Sequence, residues 1–202
     1  TVTIEASIAN VTATSTVLDA AQSLVITGDE DVNLGQVTAA SLSATGSTGI
    51  ITATTTTSAT TMTTGGGADV LTVNGAAVHT ISSGAGNDGI TVTNSSDTST
   101  FDAGAGNDTF TLDNANSVNA IVLIGGDGND DLQTDQDIDG VYVGGEGTDT
   151  LTITGGTLDL SDNTNFALSS VEAVNLTAAG GTTTISAAQL ANNGTFAITA
   201  NG

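Results

Sequence analysis

Five aspartates recur at near-constant spacing through the middle of the sequence: Asp69, Asp88, Asp108, Asp130 and Asp149, separated by 19, 20, 22 and 19 residues. Each is the sixth residue of a nine-residue phrase: T-G-G-G-A-D-V-L-T at 64–72, S-G-A-G-N-D-G-I-T at 83–91, A-G-A-G-N-D-T-F-T at 103–111, G-G-D-G-N-D-D-L-Q at 125–133 and G-G-E-G-T-D-T-L-T at 144–152. All read x-G-x-G-x-D-x-U-x, with U apolar. A carboxylate is a hard anionic donor, and a glycine-bent turn brings backbone carbonyls beside it. Calcium takes about six to eight such oxygens, so one turn is half a site and a second turn stacked on it supplies the rest. Zinc would call for histidine or cysteine, and the chain has one His and no Cys. The metal-ligating candidates are therefore the five aspartates, with the turn residues Gly84, Gly86, Asn87, Gly104, Gly106, Asn107, Gly126, Gly128, Asn129, Gly145 and Gly147. The glycines suit positive φ and the asparagines suit the same tight bend.

A period near two nonapeptides is one coil of a solenoid, which places all five aspartates on one edge and lets adjacent turns share ions. The apolar residues keep the same period. Leu71, Ile90, Phe110, Leu132 and Leu151 form one expected inward column, and Val73, Val92, Leu112, Thr134 and Ile153 a second, with Thr134 its one polar member. The expected fold is all-β, a right-handed parallel β-solenoid (β-roll or β-helix) with calcium-binding turns along one edge. Rossmann and P-loop readings of the glycines fail, because no helix-forming segment follows any copy and no Lys could meet a phosphate.

These five nonapeptides resemble the calcium-binding β-roll repeats of RTX (repeats-in-toxin) proteins. The resemblance implies several bound calcium ions and export by type I secretion to the cell surface or beyond. A V-E-A-V-N-L-T phrase after a five-copy array also resembles the layout of RTX-containing bacterial surface-layer proteins.

The chain of 202 residues has 22 acidic side chains and no Lys, Arg, Cys, Pro or Trp. No internal salt bridge between side chains other than His79 and an acid can form, so metal ions are the expected neutralisers. Nucleic acid and anionic lipid are bound through Lys and Arg, which excludes both as partners. No apolar run is long enough to span a bilayer, so membrane insertion is not expected either. The chain lacks an initiator Met and a basic n-region, and reads as a piece of a longer or processed protein.

Three segments are expected. Residues 1–63 read as Thr/Ala-rich solenoid coils without the calcium motif, residues 64–153 as the calcium-binding β-roll with 14 of the 22 acids, and residues 154–202 as further β coils or a cap. Gly28, Gly46, Gly65, Gly84, Gly104, Gly125 and Gly144 keep the period across the first boundary. Asp29, Glu30 and Asp31 read as a solvated acidic turn. In the half-coils of the opposite sheet, Ile81, Phe101, Val122 or Leu123, and Val141 are expected in the core. A short helix is possible at 187–191. Asp135, Asp137 and Asp139, with Gly140 and Glu146, fit an EF-hand pattern, but both flanks read as strands; the corner reads as an exposed acidic turn or as the holder of a further calcium.

No catalytic apparatus is visible. His79 is the single histidine and is expected to face solvent, no G-x-S-x-G accompanies it, and no cation could stabilise a developing anion. The chain is therefore expected to be no enzyme. It reads as a secreted structural protein of a bacterial surface layer, filament or matrix, folded and assembled by calcium, with other copies of itself and a cell-surface polysaccharide as candidate partners. The alternative is a calcium-dependent folding and secretion module of a larger RTX enzyme or adhesin.

Overall fold

The computed structural model describes residues 1–7, 9–13, 15–17, 22–56, 58–95, 98–113, 121–134, 140–154, 158–159, 166–177, 183–184 and 197–200. Threonine, valine and isoleucine dominate these segments, and their branched Cβ atoms favour extended backbone over helix. The described residues accordingly contain strands and no helix.

The strands stack into two long parallel sheets of nine and eleven strands, in which each coil of chain contributes one strand to each sheet. Through the motif region the first sheet runs Thr60–Thr63, His79–Ser82, Thr100–Ala105, Ile121–Gly128, Gly140–Gly147 and Ala167–Ser169. The second runs Ile51–Thr55, Val70–Asn74, Gly89–Asn94, Thr109–Leu112, Asp131–Thr134, Thr150–Ile153 and Ala173–Leu176. This is a β-solenoid. Earlier coils join the same sheets, since Val2–Ala6 pairs with Ser23–Gly28 and Val32–Thr38 pairs with Ile51–Thr55.

Period-two alternation points one set of side chains between the sheets. Register aligns Leu71, Ile90, Phe110, Leu132 and Leu151 as one column and Val73, Val92, Leu112, Thr134 and Ile153 as the second. Both are buried, as the sequence implied. Facing them are Met62, Ile81, Phe101, Leu123, Tyr142 and Leu168. Each large side chain so buried contributes roughly 1.5–3 kcal/mol.

Two expectations fail here. Val141 is not a core residue: Tyr142 points inward in register with Leu123, which sends Val141 and Val143 to the outer face. His79 does not face solvent. It is fully buried, in the same inward alternation as Ile81, with Nε2 3.1 Å from the Gly75 carbonyl. The possible helix at 187–191 lies outside the described residues.

Candidate metal centre: a column of buried carboxylates

The turns between the two sheets are built by glycine for a reason that precedes any ligand. Gly86, Gly106, Gly128 and Gly147 have φ of 128°, 144°, 138° and 134°, a region L side chains rarely adopt. They also stack closely. A Cβ on Gly106, Gly128 or Gly147 would lie 1.7 Å from the carbonyl oxygen of the equivalent glycine one coil earlier. Gly84, Gly104, Gly126 and Gly145 form a second such ladder, also at positive φ. Gly126 and Gly145, rather than Gly125 and Gly144, therefore continue the periodic glycine column.

Side-chain amides and carboxylates tie the coils together in opposite directions. Oδ1 of Asn87 accepts the Asn107 N–H at 2.8 Å, Asn107 accepts from Asn129 at 2.8 Å, and Asn129 from Thr148 at 2.8 Å. In the neighbouring column the bonds run the other way. The N–H groups of Ile51, Asp69, Asp88, Asp108 and Asp130 donate to Oδ1 of Asp69, Asp88, Asp108, Asp130 and Asp149, at 2.7, 2.7, 2.7, 2.8 and 2.9 Å. In the preceding coils Val11 and Val32, at the same register position, donate instead to the backbone carbonyls of Asp31 and Ile50. The aspartates thus replace a backbone acceptor and relieve the turn carbonyls of that bond.

Glu172 closes the column. Its Oε2 accepts the Asp149 N–H at 2.8 Å, and register places it opposite Asp149. The motif misses this residue because Ser170 and Val171 alone connect the strand ending at Ser169 to Glu172, so no glycine phrase surrounds it. The 23-residue step from Asp149 was its only signal in the sequence.

All five motif aspartates are between 0% and 2% exposed. Oδ1 of each is satisfied, but Oδ2 of Asp69, Asp88, Asp108, Asp130 and Asp149 is buried with no hydrogen-bond partner. Burying an ionised carboxylate without compensation is strongly unfavourable. Burial accordingly raises the pKa of Asp69 from 3.8 to about 6. It raises that of Asp108 to about 7, where the carboxylates of Asp88, Asp130 and Asp102 add to the effect and the Asp88 N–H opposes it. Asp88, Asp130 and Asp149 are raised for the same first reason.

Comparison with known family models, curated proteins and solved structures found no match to this chain. The site is read from its own chemistry. Five unpartnered anionic oxygens, in a chain without Lys or Arg, fit a hard cation, and the donor set is oxygen alone. Among the described residues no three acidic or histidine side chains converge on one point. Any cation here would therefore need the turn carbonyls beside one or two carboxylates. Asp135, Asp137 and Asp139 lie outside the described residues. Gly140 opens a strand that continues to Gly147, where an EF-hand would need a helix. Asp31 is engaged structurally: its Oδ1 accepts the Ile50 N–H at 2.9 Å and its Oδ2 accepts from Asn10 Nδ2 at 3.4 Å.

Proposed function

We propose that this chain is a calcium-stabilised structural solenoid of an extracellular bacterial surface, forming part of a surface layer or filament. The observation that carries the reading is the row of five buried Oδ2 atoms in register, each lacking a hydrogen-bond partner. Asp69, Asp88, Asp108, Asp130 and Asp149 would hold the ions together with turn carbonyls. Calcium supplies the positive charge that the chain itself lacks, so binding energy becomes folding energy. The resemblance of the nonapeptides to RTX repeats supports the same ion. The long uniform stack supports a structural role, because a solenoid buries its core by repetition and presents extended outer faces to neighbours.

The test is circular dichroism with light scattering during a calcium titration, with magnesium at equal ionic strength as control. A cooperative gain of β signal with calcium alone, followed by rising scattering, is expected. Calcium folding without scattering would assign the chain to the folding module of a larger protein. Full β structure in chelator at neutral pH would end the calcium reading.

A further inference from the structure

The outer face of the first sheet changes character part-way along the stack. One outward column runs Thr61, Thr80 and Thr100 and then turns apolar at Val122, Val141 and Ala167. Its neighbour runs Thr63, Ser82 and Asp102 and turns apolar at Ile124 and Val143. Hydroxyl side chains build the earlier strands of this face, so the fold itself does not call for five aliphatic groups on the later ones. All five are half-buried, as Thr63 and Ser82 are in the same column, which is the shielding that flanking strands give. Among the described residues no strand packs over them. Their contact with water is a cost that a covering surface removes.

Charge selects that surface. Asp102 borders the patch on one side, and Asp127 and Glu146 are exposed further along the same strands as Ile124 and Val143. In a chain with 22 acids and no Lys or Arg, two copies repel wherever acids meet. An uncharged aliphatic patch is where they can touch, and it is complementary to itself. A cationic partner would seat on the acidic rim instead. Size sets the strength. Strands about 4.8 Å apart and columns about 6.8 Å apart give a patch of roughly 200 Å² over three strands. A stable interface takes about 800 Å² from each partner, so a single contact of this kind is transient and repetition in an array is what makes it hold.

We propose that Val122, Ile124, Val141, Val143 and Ala167 form the contact through which two copies of this chain pair, each patch against the same patch of the other copy. This rests on the structural role proposed above and gives it a surface.

Sedimentation velocity on the full chain in saturating calcium, over a concentration series, tests this. Weight-average mass should rise with concentration, and more steeply once sodium chloride screens the acidic rim. Val141→Thr combined with Val143→Thr brings in the side chains found at Thr61 and Thr63 of the same columns. It should keep the circular dichroism spectrum while weakening association about tenfold or more. The chain has no cysteine, so Val141→Cys reports the contact directly. It should oxidise to a covalent dimer far faster than Thr91→Cys, which lies on the outer side of the second sheet; this pair carries the test if the double variant fails to fold. A chain that stays monomeric at every concentration, or equal dimer yields from the two cysteine variants, overturns the inference and leaves calcium-dependent folding intact. Undiminished association of the folded double variant overturns this surface alone and leaves the assembly reading standing. Full β structure in chelator ends the calcium reading whatever the mass.

Discussion

The early coils and the motif coils share two sheets and one register, and one column shows their difference most clearly. Val11, Val32 and Ile51 occupy it first, and Asp69, Asp88, Asp108, Asp130, Asp149 and Glu172 follow. Val32 and Ile51 are as buried as the aspartates. The stack therefore needs no acid at this position, and an apolar side chain suffices to build a coil. Five carboxylates in the same place are a cost to folding, and they make sense as ligands or as a proton reservoir. That contrast separates the scaffold, which repetition and β-branched residues provide, from the device set along its edge.

The largest expected effect comes from the glycine ladders, which run longest through the motif coils. Gly106→Ala would place Cβ 1.7 Å from the Gly86 carbonyl at a φ of 144°. It should destabilise by about 3 kcal/mol or more, or prevent folding, as several strain terms act together. Gly46→Ala, with nothing within 4 Å of its Cβ, should change stability by under about 0.5 kcal/mol. Thermal melts in calcium compare the two.

Next in size is the loss of one carboxylate. Asp108→Ala leaves the buried Asp88 N–H without its acceptor, a loss of about 1–3 kcal/mol. In calcium it should cost more than Asp69→Ala, because an interior turn would serve ions on both sides. Equal urea midpoints for the two variants would count against shared ions.

Asp108→Asn is a finer probe, since it keeps the Oδ1 acceptor and removes the charge. In chelator at pH 8 it should stabilise the chain by about 1 kcal/mol, and in calcium it should destabilise it. The acids also set the direction with pH. With folded values near 6 for Asp69 and near 7 for Asp108 against 3.8 unfolded, the calcium-free solenoid binds more protons than the unfolded chain between those limits. That contribution is complete below pH 3.8 and is lost as pH rises through 6 to 7. His79 runs the other way: burial lowers its pKa, so its contribution is present above 6.5 and lost as pH falls through its folded value. With six raised carboxylates against one imidazole among the described residues, melting in chelator should move to higher temperature between pH 8 and pH 5.

Much of this molecule was legible in its sequence because a solenoid writes its period directly into the chain. The inward columns from Leu71 to Leu151 and from Val73 to Ile153 followed from spacing alone, and so did the single edge of aspartates. The misses came from parity and from turn length. V-Y-V fits either face of a sheet, and only register with Leu123 decides that Tyr142 points inward. His79 was readable in principle, since the alternation that buries Ile81 buries the residue two before it. Glu172 was hidden by a two-residue turn that abandons the glycine phrase while its longer side chain keeps the column.

The most direct test of the central claim is amide hydrogen exchange resolved along the chain, with calcium and with chelator, at neutral pH. Protection of Val70–Asn74, Gly89–Asn94, Thr109–Leu112 and Asp131–Thr134 should appear only with calcium, while Ser23–Gly28 and Val32–Thr38 depend on it far less. Equal protection of the motif strands in chelator would contradict the account, because buried carboxylates without an ion would then be no obstacle to the fold.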